Sequence, residues 1–315
     1  LSIIPLGGSN KMARKPTIDP IIKLRPYQLE VFRKDIRRLF LLWSRQRGKS
    51  HMLACQALDW MMAERGVLVT FISASIVLGT EVLLKEAMIW SKLLDMMRAA
   101  ADQAGLKLTT SVDGLSFDDV CDVFEHSKLE TKIWYTNTIC SRSRVIAPNP
   151  DTAVGWTGHI IGDEVGRWPN ARDVMEAVTP FMSSNPAFSL RYATTPPPDD
   201  KHYTYEQFIP PAGTEFEVNP RGNFYRAASG MLCHRVDVWD GHAAGVSLYD
   251  DDTGKPVSPE ESRKKAADKQ AWDRNFALMF LIGGTAAVSP SAIARAMELG
   301  AGVCVGVDVT EGLEL

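Results

Sequence analysis

Cysteine is scarce and scattered in this chain. Its five residues (Cys55, Cys121, Cys140, Cys233 and Cys304) include no C-x-x-C pair, which argues against both a disulfide framework and a zinc site. Long apolar runs are missing too: none approaches the roughly 20 residues that a bilayer-spanning helix needs, and no signal peptide is visible. A reduced cytosolic setting is the expectation. Internal repeats and low-complexity tracts are absent, and the six histidines are dispersed. A strong charge imbalance is also lacking, since the net charge of −3 does not mark a nucleic-acid binder. The distribution is nevertheless uneven. Between Lys11 and Lys49 the only acids among twelve Lys or Arg are Asp19, Glu30 and Asp35, whereas Asp118, Asp119, Asp122 and Glu125 cluster, as do Asp250, Asp251 and Asp252. The basic block reads either as a solvated amphipathic face or as a phosphate-facing surface.

What is present is an α/β pattern. Tyr27, Leu29, Phe32, Ile36 and Leu39 recur near helical spacing, which predicts a helix over 26–39. A strand ending at Trp43 follows, then a helix from Ser50 to about Ala63, a β-branched strand over 67–72, and a long helix holding Val82 through Leu94. Further strands are expected over 134–139, 144–147, 159–162 and 190–194. The run Pro196-Pro197-Pro198 ends the regular pattern, and an irregular stretch is expected to about Gly254. A helix capped by Ser258 is predicted from Pro259 to Phe280, and a last strand over 302–310 ends near Asp308. Alternating strands and helices imply a mainly parallel sheet covered on both faces, with ligands at the carboxyl ends of its strands.

Chemistry concentrates at those strand ends. The segment Trp43-Ser44-Arg45-Gln46-Arg47-Gly48-Lys49-Ser50 joins a strand to a helix start, where backbone N–H groups and the helix dipole favour anionic oxygens. Lys49 can reach the outer phosphates of a nucleotide, and the Ser50 hydroxyl can ligate Mg²⁺. The match to G-x-x-x-x-G-K-S is imperfect because Trp43 stands in place of the first Gly. A second apolar strand delivers Asp163 and Glu164 to the same edge. Asp163 is suited to hold Mg²⁺ opposite Ser50, and Glu164 to activate water. Thr194 and Thr195 end another strand, where hydroxyls can contact a γ-phosphate or the attacking water. Gln28, in Arg25-Pro26-Tyr27-Gln28, reads either as an adenine contact flanked by an aromatic or as part of a helix N-cap.

In order and spelling, these pieces resemble the large terminase subunit of tailed bacteriophages, the ATPase that pumps DNA into proheads. The loop Ser44–Ser50 is similar to that family's deviant phosphate loop, in which Arg follows a small residue and the first Gly is lost. The run from Ile146 to Gly158 ahead of Asp163-Glu164 is similar to the family's, and Thr194-Thr195-Pro196 matches its coupling motif. The resemblance covers nearly all of residues 24–310. It implies a P-loop NTPase (RecA/ASCE-like) core over 1–200, a lid or linker over 201–298, and the first strand of an RNase H-like nuclease over 299–315. It implies ATP and Mg²⁺ as cofactors, with Gln28, Ser44, Arg45, Gln46, Arg47, Gly48, Lys49, Ser50, Thr194 and Thr195 around the nucleotide. Glu164, Lys49 and Arg45 would be catalytic, Arg45 stabilising charge on the transferring phosphate. Arg47 is expected at the surface, and Arg142 or Arg144 to aid catalysis or touch DNA. Asp308 would be one ligand of a nuclease metal site too incomplete to cut, since two-metal cleavage needs several carboxylates. The implied partners are double-stranded DNA, the portal protein, the small terminase subunit and further copies in a ring, in the host cytoplasm and without a membrane.

Two other readings share these residues. A helicase-like translocase would usually bring a second complete domain, and no second Gly-Lys-Ser/Thr loop exists in the chain. A nucleotide-gated binding or assembly protein would keep the fold and lose turnover, against which the intact Lys49, Asp163 and Glu164 argue.

Overall fold

The apolar strand runs read from the sequence assemble into one sheet. The computed structural model describes residues 22–103, 123–153, 157–183 and 185–281. Its elements in chain order are α1 (Pro26–Phe32), β1 (Arg38–Trp43), α2 (Lys49–Ala63), β2 (Leu68–Ser73), α3 (Ile76–Gln103), β3 (Phe124–His126), β4 (Glu130–Trp134) and β5 (Cys140–Ile146). Next come α4 (Pro150–Ala153), β6 (His159–Asp163), a 3₁₀ turn (Val165–Arg167), α5 (Ala171–Ser183), β7 (Leu190–Thr194), α6 (Tyr203–Phe208), β8 (Asn223–Arg226) and β9 (Leu232–Val236). The described chain ends with α7 (Val238–Ala243), the short strands β10 (Leu248–Tyr249) and β11 (Pro256–Val257), α8 (Pro259–Lys265), α9 (Lys269–Trp272) and a π-helical turn (Asp273–Ala277).

Nine strands form the main sheet in the order β3-β4-β5-β2-β6-β7-β1-β9-β8. The six from β5 to β9 are parallel, while at the margins β4 and β8 run against them and β3 pairs antiparallel with β4. Parallel strands need both faces covered, and β2, β6 and β7 are accordingly buried along their whole length. One face packs Leu39, Leu41, Val69 and Phe71 beneath α1, α2 and α3. The other packs Phe40, Leu42, Ile160 and Tyr192 beneath α5 and α6. The alternation along β1 is what divides its side chains between the two cores. No described helix is long and apolar enough to cross a membrane.

Several elements depart from the sequence-based expectations. The helix expected over 26–39 stops at Phe32, because Arg33 and Lys34 turn the chain (the Ile36 N–H bonds the Lys34 carbonyl at 2.9 Å) and Leu39 belongs to β1. Strand 134–139 is instead the end of β4 followed by a turn in which the Tyr135 N–H bonds the Ile139 carbonyl. The strand expected over 144–147 begins earlier, at Cys140. The helix expected from Pro259 to Phe280 breaks after Lys265, where Ala266 is extended, and Asp268 caps the next short helix. The stretch expected to be irregular contributes β8 and β9 to the main sheet, which therefore continues past residue 200. The expected strand over 302–310, with Asp308, lies outside the described residues.

Candidate active site

Three adjacent strands carry the site. β1 ends in the loop 44–48, β6 ends at Asp163, and β7, which lies between them, ends at Thr194. In register, Leu42 pairs with Thr194 and Asp163 with Ala193, so all three strand ends stand at one sheet edge.

The loop owes its shape to two left-handed residues, Gln46 (φ 58°) and Gly48 (φ 74°). Gly48 is also the N-cap of α2, and no side chain caps that helix, which leaves its first N–H groups available to an anion. Behind the loop, α1 acts as a brace. The Gln28 Nε2 donates to the Gly48 carbonyl at 3.1 Å, its Oε1 accepts the Arg25 N–H at 2.9 Å, and the Tyr27 hydroxyl donates to the Arg47 carbonyl at 3.0 Å. Of the two readings of Gln28, the structure therefore displays the helix-capping one. Tyr27 is fully buried, edge-on to the Trp43 ring, and is not placed to flank a base. Trp43 itself turns into the core and donates its indole N–H to the His234 Nδ1 at 3.0 Å. Its backbone carbonyl alone faces the loop, which explains why an aromatic is tolerated where a glycine is usual.

Lys49 is buried, with its Nζ 3.1 Å from the Trp43 carbonyl and 3.5 Å from the Glu164 Oε1. The Ser50 hydroxyl donates to the Asp163 Oδ2 at 3.1 Å. Burial pushes the Asp163 carboxyl up to about 6, the adjacent Glu164 charge adds to this, and Lys49, Ser50 and the Glu164 N–H oppose it. A hydroxyl beside a buried carboxylate suits a divalent cation that completes its shell with phosphate oxygens and water, and such an ion would favour the ionised carboxylate. Among the described residues no cluster of three or more His, Cys, Asp or Glu could hold a metal unaided. Glu164 adopts a left-handed backbone (φ 50°), a strain on the order of 1–3 kcal/mol of the kind that gathers at functional positions.

Residues that the sequence did not single out fix this acidic corner. The Trp168 indole N–H donates to the Asp163 carbonyl at 3.1 Å, and the Gly166 N–H donates to the Thr194 hydroxyl at 3.0 Å. That hydroxyl donates in turn to the Thr195 carbonyl at 2.7 Å. Thr194 thus ties β7 to the turn that follows Glu164. A methyl group on Gly166 would lie 2.6 Å from the Thr194 Oγ1, and one on Gly162 would meet the Tyr192 and Trp168 rings. The glycines are visible in the sequence, but nothing local in it identifies the partners they approach.

The arginines divide sharply. Arg45 is exposed, and its backbone N–H donates to the Asn275 carbonyl at 3.0 Å. Arg47, expected at the surface, is instead 1% exposed. Its Nε donates to the Ser44 hydroxyl at 3.2 Å, and its guanidinium lies against Gly241 of α7. Burial lowers its pKa, with Tyr27 and Asp237 opposing. Arg142 pairs with Glu130 at 3.5 Å and stands opposite Leu68, toward the far end of the sheet from the loop. Arg144 lies two residues further along the same strand. Neither is brought to the Lys49–Glu164 corner.

The strand–loop–helix at residues 38–63, set in a mainly parallel sheet covered on both faces, is a P-loop type of fold. Among solved structures, the ATPase domain of the large terminase of Thermus phage P74-26 matches with a TM-score of 0.54 at 15% identity, over 82% of this chain and 100% of that chain. A point mutant of that domain matches with a TM-score of 0.55 at 15% identity, over 82% and 95% of the two chains. The large terminase of a second thermophilic bacteriophage, in complex with ADP, matches at 0.50 and 13% identity, covering 82% of this chain and 54% of that chain; this chain therefore spans about half of that protein. No protein-family model and no curated protein matches the sequence. At these identities the likeness is one of fold: this chain has the fold of phage large-terminase ATPase domains.

Proposed function

We propose that the chain is the ATPase part of a DNA-packaging motor, hydrolysing ATP to move double-stranded DNA. The observation that carries this reading is the close set of Lys49, Ser50, Asp163 and Glu164 at one sheet edge, with Lys49 3.5 Å from Glu164 and Ser50 3.1 Å from Asp163. These are the groups that phosphoryl transfer to water requires: a cation on the phosphates, a metal site, and a base for the nucleophile. Ser50 and Asp163 would hold Mg²⁺, which would supply charge neutralisation at the phosphates. In this reading the α2 N-terminus and Lys49 bind the phosphates, Arg45 stabilises the transferring group, and Thr194 and Thr195 register its loss. The terminase fold supports the packaging role, with portal protein, small terminase subunit and further copies of the chain as partners, in the host cytoplasm.

Glu164→Gln tests the catalytic assignment. ATP binding should persist while turnover falls by about 10²-fold or more. Undiminished hydrolysis in steady-state assays would reject Glu164 as the base.

A further inference from the structure

The π-helical turn of the lid meets the phosphate loop through the Arg45 N–H bond to the Asn275 carbonyl. Beside this contact lies a cavity of about 480 Å³. The core supplies one wall through Gly166, Arg167, Thr194 and Thr195, and the lid supplies another through Arg274 and Asn275. π-Helical turns are rare and gather at functional positions. This one sets a half-buried arginine directly before the residue that touches the loop.

The cavity has unbalanced charge. Burial lowers the Arg274 pKa, nearby Arg167 and Arg45 add to this, and Asp268 opposes it. None of these three guanidiniums forms a hydrogen bond or ion pair with the described residues. Two other polar side chains on the wall are already engaged: the His202 ring nitrogens meet Thr204 and the Trp168 carbonyl, and an Asp199 carboxylate oxygen accepts the Lys201 N–H. Asp199 disfavours an anion beside it, whereas Arg167 and Arg274 in the same lining favour one. Guanidinium groups match phosphate oxygens in geometry and hold charge at any working pH. Gly166 and Thr194, on the same wall, are hydrogen-bonded to each other two residues from Glu164.

On the ATPase reading above, we propose that Arg274 is a phosphate-contacting residue that the lid supplies to its own active site, reading the terminal phosphate of a bound nucleoside triphosphate together with Arg45 and Arg167. Triphosphate would draw the turn 273–277 toward the core, and a diphosphate would not.

The experiment is nucleotide binding to the full chain, using ATPγS and ADP, with hydrogen–deuterium exchange over residues 269–281. Arg274→Gln should weaken ATPγS by about tenfold, the scale of one charge-assisted hydrogen bond, and leave ADP unchanged; Arg274→Lys should fall between. In the parent chain ATPγS, but not ADP, should protect the turn, and Arg274→Gln should abolish that protection. Equal effects on both nucleotides, no effect on either, or a loss confined to double-stranded DNA affinity would each overturn the proposal. Lys49→Ala separates the two levels. If it removes nucleotide binding while Arg274→Gln changes nothing, the ATPase reading stands and the lid arginine fails. If the parent chain binds neither nucleotide, both fail.

Discussion

At the scale of single residues, the site depends on side chains whose roles are set by what surrounds them. Thr194 is the clearest case, because its one hydroxyl bridges Gly166 and Thr195. Thr194→Val keeps the shape and leaves the buried Gly166 N–H unpaired. The expected result is a loss of about 1–3 kcal/mol in denaturant unfolding, with ATPγS affinity nearly unchanged and kcat reduced. A kcat equal to the parent's would remove Thr194 from the coupling path. Glu86 offers a test of a different kind. It is fully buried on α3, accepts a 2.6 Å hydrogen bond from Ser143, and is pushed up to about 8 by burial, which that bond offsets only in part. A folded-state pKa raised above the unfolded value of 4.5 means that Glu86's contribution is intact below pH 4.5 and is lost as pH climbs toward 8. Glu86→Gln is neutral throughout. Melting temperature should therefore fall more steeply from pH 5 to pH 8 in the parent than in the variant, by an amount corresponding to a few kcal/mol. Parallel curves would show that Glu86 is ionised in the fold.

At the scale of elements, the loop 44–48 packs closely against α7. A methyl group at Gly241 would stand 2.6 Å from the Arg47 Cδ and 2.7 Å from its Nε, and Arg47 cannot swing aside because it is enclosed and bonded to Ser44. Gly241→Ala should cost on the order of 1–3 kcal/mol by overpacking. Much of that cost should be recovered when Arg47→Ala is added, a coupling that a double-mutant cycle measures directly. The same contact shows where reading the sequence stops. Strands β1, β6 and β7 were legible because each is a continuous apolar run ending in polar, chemistry-bearing residues, and Ser50, Lys49, Asp163 and Glu164 meet as their strand ends suggested. Strands β8 and β9 were not. His234 and Arg235 interrupt β9, and groups elsewhere in the chain satisfy them: Trp43 and the Arg221 carbonyl for His234, and the Ala277 carbonyl for Arg235. The burial of Arg47 was illegible for the same reason, since its cover is a glycine on a helix far along the chain. The helix expected over 259–280 failed locally. Its apolar spacing persists past the extended Ala266, and the cap at Asp268 was not recognised as a fresh start.

At the scale of the whole molecule, DNA contact in the proposed motor would be made chiefly to phosphates. Binding of double-stranded DNA should then be insensitive to sequence and fall by orders of magnitude between about 50 and 200 mM salt if several phosphates are neutralised. Fluorescence anisotropy with two unrelated duplexes at several salt concentrations measures both properties; a flat salt response would count against DNA as the cargo. The sheet order adds a mechanical consequence. The strand that leads into α7, β9, runs parallel to β1 over four residue pairs, and the Ser44 N–H bonds the Val236 carbonyl just beyond them. Tension applied through α7 would load those hydrogen bonds side by side in shear, instead of peeling them one at a time. A joint of this kind is stiff along the strand axis. In the proposed motor, force generated at the loop 44–48 would reach α7 with little slack, and compliance would have to lie elsewhere, in single-bond contacts such as Arg45 to Asn275.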